Sequence, residues 1–200
     1  MKRKVHLCRS TREPADLELF PDPRKVFAEW TEEIAARIIP VALFDLSLED
    51  RDAGGPACFL YYDDVQVSFL SWKTEGGLIT ELEGDWREIA PLYDPPDLEA
   101  MAKRPGLNLR LESYEIDIGV PSEYEDWADV FAEKMDALDA WDLYCLRIGG
   151  GFPIYVQGDT PLDDPGFVAQ LPAGAHDLAP MDFYLFEDGK GNFQQEMQMT

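Results

Sequence analysis

Histidine and cysteine, the residues that most often build catalytic and metal centres, are scarce: the chain has 200 residues, two histidines and three cysteines. His6 and His176 are far apart, and neither carries the spacing of clustered zinc ligands. His176-Asp177 reads as a loop pair in a Pro/Gly/Ala-rich stretch. Cys8, Cys58 and Cys145 are odd in number and widely separated, so they form neither a disulfide framework nor a zinc pattern. Cys58 and Cys145 sit in apolar runs and read as buried thiols, which places the chain in a reducing cytoplasm. No nucleophile motif such as G-x-S-x-G is present. Carboxylate pairs such as Asp63-Asp64 and Asp163-Asp164 stand in turn contexts, where aspartate is a good turn former. The expectation is therefore no enzyme, no catalytic residue, no metal and no cofactor.

Long apolar runs are also missing. No stretch of 18 apolar residues exists to form a spanning helix, and Val5 to Cys8 is too short for a signal-peptide core. Bases are few, 17 Lys and Arg against 40 Asp and Glu, for a formal net charge of −23. Five of them (Lys2, Arg3, Lys4, Arg9, Arg12) stand in the first twelve residues. So acidic a chain repels phosphate backbones and anionic lipid surfaces, which excludes nucleic acid and membrane as partners. It attracts and steers a cationic protein; the bland alternative is that the charge serves solubility alone.

Apolar residues make up 46% of the chain, which rules out disorder and provides for a real core. The most specific pattern is Leu146 to Asp159, LRIGGGFPIYVQGD. A strand-like run, Leu143 to Ile148, leads into Gly149, Gly150 and Gly151, a turn signal. Pro153 belongs at a strand start or edge, and Phe152, Ile154 and Val156 then alternate with period two. A phosphate cradle would need a helix to open directly after the glycines; here a strand follows. Three more strands are expected, GFVAQL (166–171), MDFYLFE (181–187) and NFQQEMQM (192–199). Asp188 to Gly191 turns the last two into a hairpin. Ile154, Val156, Phe167, Phe183 and Leu185 are the expected core of a contiguous antiparallel region, 143–199.

This C-terminal part, IGGGFPIYVQGD, FVAQLP and DFYLFEDGKGNF, resembles the YwqG-like family of bacterial proteins. That family has a GG-aromatic-P-x-x-x-Q segment, an F-x-x-Q strand and a G-x-x-Y-x-F strand. The match departs from the family at Pro180-Met181-Asp182, where a glycine usually precedes the aromatic pair. It implies a mainly antiparallel α+β fold. The family has no established activity. Some relatives lie beside toxin genes, so the resemblance points toward an immunity role.

In the first half, Asp22-Pro23 reads as a helix start, aspartate as N-cap and proline at the first helical position. Val26, Phe27, Trp30, Ile34 and Ile38 follow at helical spacing, with Pro40 as the stop. Pro14 to Pro23 reads as a loop. Val41 to Leu46 is an expected strand, and Cys58–Tyr62 and Val65–Trp72 an expected hairpin across Asp63-Asp64. That hairpin echoes 181–199 and hints at a duplicated half. Leu78 to Leu82 and Leu107 to Ile118 complete the strands. The fold class predicted is α+β, mainly antiparallel sheets with two or three amphipathic helices packed on them. Residues 1–200 form a single domain, with sub-halves of about 1–106 and 107–200 as an alternative.

Ser122-Glu123-Tyr124-Glu125 is a capping box. The predicted helix behind it has an apolar stripe of Trp127, Val130, Phe131, Met135 and Leu138. Glu123, Asp126, Asp129, Glu133 and Asp136 fill its other faces; acids in the first turn favour the dipole, but Asp136 near the end opposes it and like charges at i,i+4 repel, costs that make these residues the candidate partner-binding set. A plain solvated face is the alternative. Gln157 and Gln170 each end one side of an apolar strand and need hydrogen-bond partners. They read as structural ties or, with Gly150, as a ligand pocket. The leading expectation is a non-enzymatic binding protein, most concretely an immunity protein that neutralises a cationic toxin through an acidic surface. The alternatives are a ligand-binding or enzymatic domain that uses the Gly149-Pro153 turn, and a structural adaptor.

Overall fold

The computed structural model describes residues 2–11, 17–35, 37–45, 55–62, 67–86, 107–117, 133, 144–148, 166–173, 181–188 and 190–199. They form one eleven-stranded sheet. In chain order the strands are β1 (Lys2–Thr11), β2 (Leu17–Leu19), β3 (Ile38–Asp45), β4 (Pro56–Tyr62), β5 (Val67–Glu75), β6 (Leu78–Trp86), β7 (Leu107–Asp117), β8 (Tyr144–Ile148), β9 (Phe167–Leu171), β10 (Met181–Glu187) and β11 (Asn192–Met199). Their order across the sheet is β4-β3-β2-β7-β1-β8-β9-β10-β11-β5-β6. The ladders are antiparallel throughout.

The predicted fold class is thus corrected. Among the described residues the one α-helical element is a single turn, α1 (Glu32–Ala35), where packed amphipathic helices were expected. The helix read over 22–38 breaks up for visible reasons. Asp22 does cap, its carboxylate accepting from the Arg24 N–H at 3.0 Å, but it caps only a 3-10 turn at Pro23–Lys25. The backbone of Val26 and Ala28 then pairs with Ile79. A new start follows, with the Thr31 hydroxyl accepting from the Ile34 N–H at 3.2 Å. Val26, Phe27 and Ile38 are buried as their apolarity required, but the first two against the sheet and Ile38 as a residue of β3 within it, and that tertiary packing overrides the helical periodicity. Pro40 lies inside β3, next to an irregularity in the β3–β4 register, where a strand proline is tolerated. Leu17–Leu19, inside the predicted loop, pairs with both β3 and β7.

The expected β4–β5 hairpin is also corrected. β4 pairs with β3, and β5 lies between β11 and β6, so β4 and β5 stand near opposite ends of the sheet. The duplicated-half idea loses its footing with that hairpin. The C-terminal expectations fare better: β8, β9, β10 and β11 are consecutive neighbours, and Phe167, Phe183 and Leu185 are fully buried. Ile154 and Val156 lie outside the described residues.

The two ends of the sheet fold onto each other. Phe59 and Tyr61 of β4 lie 6.3 and 6.4 Å, centroid to centroid, from Phe183 of β10. Gln195 of β11 bonds to Leu60 of β4. Gly77, at φ +85° in the β5–β6 turn, sits so close to Pro56 that an added Cβ would meet its ring carbon at 2.8 Å. The shared core joins Ile38, Phe44, Phe59 and Leu60 to Leu70, Trp72, Phe183, Leu185 and Phe193. Both faces of β4, β9 and β10 are largely buried, which explains why their sequences are almost continuously apolar instead of alternating.

Candidate functional site

Of the predicted partner-binding residues, Glu133 is described and is exposed in a helical conformation. Glu123, Asp126, Asp129 and Asp136 lie outside the described residues. So do Gly150 and Gln157 of the expected ligand pocket.

Gln170 is placed clearly. It is paired with Tyr184 across the β9–β10 ladder and with Arg147 across β8–β9. Its amide nitrogen donates to Asp182 Oδ2 at 2.9 Å and makes a long contact of 3.5 Å with the Tyr184 hydroxyl. The Ala173 N–H donates to the other carboxylate oxygen of Asp182 at 2.9 Å. Asp182 is 5% exposed, so these bonds answer the demand that a buried carboxylate be partnered. The cluster ties the end of β9 and the residues just after it to β10.

A second locus was not read from the sequence. β6 is the last strand of the sheet, and its outer edge is met at Ile79. There the Ile79 N–H donates to the Val26 carbonyl at 2.7 Å, and the Ala28 N–H donates to the Ile79 carbonyl at 2.9 Å. This parallel bridge centres on Phe27, whose ring packs 5.0 Å from that of Trp30. Between the bridge, α1 and β6 lies a cleft of about 230 Å³. Phe27, Ile34, Ile38, Ile79 and Leu82 give it an apolar floor. Glu29, Glu33, Arg37, Thr31 and Thr80 stand around it. Glu29, Glu32 and Glu33 are all exposed. Arg37 is 3.4 Å from Glu33 in an exposed i,i+4 pair, worth a few tenths of a kcal/mol.

On the outer face of the sheet beside it, Glu81 and Glu83 of β6 are exposed opposite Lys73 and Ser71. Lys73 Nζ lies 3.8 Å from Glu81. Carboxylates around an apolar floor attract a cation-bearing group and can seat its apolar part. The sequence signal for this locus was hidden, because the same residues read as a helix.

No family model, curated protein or solved structure matches the chain.

Proposed function

We propose that this chain is a non-enzymatic cytoplasmic protein that binds a partner with a basic surface. The observation that carries the reading is the pair of exposed carboxylates Glu29 and Glu33 at an apolar-floored cleft, on a chain of net charge −23. Charge of one sign speeds encounter and selects against acidic competitors, while the apolar floor contributes the retained contact. The most concrete form of the proposal is an immunity protein that neutralises a cationic bacterial toxin, which also agrees with the YwqG-like resemblance of the last strands. The cytoplasmic location rests on the odd, widely spaced cysteines. No described helix is long and apolar enough to cross a membrane. The predicted acidic helix, with Glu123, Asp126, Asp129, Glu133 and Asp136, belongs to the same proposal as a further binding surface.

The test is affinity capture from a bacterial lysate with the full chain as bait, at low and at high salt. A basic protein should be retained at low salt and released as salt rises, since exposed charges are screened over about 10 Å at 0.1 M. The Glu29→Lys/Glu33→Lys variant, checked for an unchanged melting temperature, should lose it. Retention that ignores both salt and charge reversal would overturn the reading. For the immunity form, co-expression with the product of an adjacent gene should relieve that product's toxicity.

A further inference from the structure

The edge of β6 has more to offer than its acidity. Beyond the Ile79 bridge, residues 80–86 continue the strand with no strand partner on the outer side among the described residues. Such an edge presents unpaired N–H and C=O groups and is a template for an added strand. Proteins commonly blunt exposed edges with charged side chains, lysine above all, with proline or with bulges. Here the residues are Thr80, Glu81, Leu82, Glu83 and Gly84, with no lysine or proline; their charge is acidic, and the register irregularities fall at the two ends, between Ile79 and Glu81 and between Gly84 and Trp86. The two faces beside the edge differ in chemistry. Glu81 and Glu83 are exposed on one, while Leu82 is half-buried at the cleft on the other, near Phe27 and Ile34. Neighbouring side chains of a strand point to opposite faces, so an added strand would meet the two environments in alternation. The cleft, at about 230 Å³, is smaller than the roughly 300–1,000 Å³ typical of small-molecule pockets. It suits one side chain better than a whole ligand.

We propose that β6 is a docking edge for an extended segment of a partner protein in which basic and apolar residues alternate. The segment pairs its backbone with residues 80–84, sets its bases against Glu81 and Glu83, and places one apolar side chain in the cleft over Leu82. This rests on the reading that the chain binds a basic partner, and it specifies how.

The probe is a fluorescent peptide, Lys-Val-Lys-Val-Lys-Val-Lys, titrated against the full chain and followed by anisotropy. Two N-methylated versions, one on the valines and one on the lysines, keep the charge while removing N–H donors from one edge or the other. The parent peptide should bind, and one N-methylated version should bind at least tenfold more weakly. Glu81→Lys/Glu83→Lys should weaken the parent at least tenfold, while Glu115→Lys/Asp117→Lys on β7 should change it less than twofold. Melting temperatures of both variants show that the fold is kept. Equal binding of all three peptides, or equal loss in both variants, would leave only diffuse charge attraction and overturn edge pairing. Failure of the parent peptide to bind, with salt-sensitive capture of a basic protein intact, would overturn the edge proposal and spare the reading beneath it.

Discussion

The side chain of Gln195 and the backbone of Leu60, 135 positions apart, bond as two strands would. The Leu60 N–H donates to Gln195 Oε1 at 2.8 Å, and the Gln195 amide donates back to the Leu60 carbonyl. The Tyr62 hydroxyl adds a bond of 3.2 Å to the Gln195 carbonyl. Leu60 stands opposite Pro40 of β3, so its N–H and C=O point away from a residue with no N–H to give. A primary amide carries one donor face and one acceptor face, as a peptide does, and it completes the outer edge of β4, where no strand neighbours it among the described residues. Gln195 is fully buried.

Replacing Gln195 with leucine should destabilise the protein by roughly 2–6 kcal/mol. Both Leu60 groups lose their partner, and each orphaned buried group costs about 1–3 kcal/mol. A urea melt measures it. A loss under about 1 kcal/mol would show that the clamp contributes little to holding the ends of the sheet together.

Phe183 tests the same junction through packing. It is fully buried between Phe59 and Tyr61, so Phe183→Ala should cost roughly 3–5 kcal/mol. An unchanged denaturation midpoint would contradict its place in the core. Combining it with Gln195→Leu should give a non-additive loss, because the two residues brace neighbouring positions of β4.

Cys58 should be chemically silent in the folded protein. Burial pushes its thiol far above the usual range, more than backbone hydrogen bonds from Ala42 and Val41 bring it back, and the thiolate is the reactive species. Maleimide labelling at pH 8 followed by peptide mapping should show Cys58 modified only after denaturant is added. Fast labelling of Cys58 in native buffer would refute its placement.

The β10–β11 turn predicts a pH dependence. Asn192 Nδ2 donates to Asp188 at 2.7 Å and the Lys190 N–H at 2.8 Å. The Asn192 side chain first, and the Lys190 backbone next, hold this exposed carboxyl below its ordinary value of 3.8. A depressed folded-state value means that the stabilisation is present in full above the unfolded value and fades as pH falls through the folded one. Asp188→Ala should therefore lower the melting temperature at pH 6, with the gap to the parent protein closing below pH 3.8. A gap that persists in acid would assign the effect to turn propensity instead of charge.

Local chemistry by itself determined a good part of this protein. The Asp188–Gly191 turn, the strands on either side of it and the long alternating run of β7 were legible because turn residues and period-two patterning act within a few positions. The burial of Phe183, Leu185 and Phe167 was legible because apolar strand residues must be covered.

Tertiary structure decided the rest. Val26, Phe27, Trp30, Ile34 and Ile38 fit a helix, and only the tertiary structure shows that Val26 and Phe27 bury against the sheet edge at Ile79 while Ile38 opens β3. The β4 and β5 segments are close in sequence and strand-like, yet they separate, because β4 pairs back onto β3 while β5 pairs with β6 and with the distant β11. The acidic cleft follows from that rearrangement, since its apolar floor joins Phe27, Ile34 and Ile38 to Ile79 and Leu82 of β6. Gln195 follows the same logic. Beside Gln194 it is one more polar residue in NFQQEMQM, and it acquires a buried role only when the two ends of the sheet meet. Periodicity reports which residues must be covered; what covers them depends on contacts far along the chain.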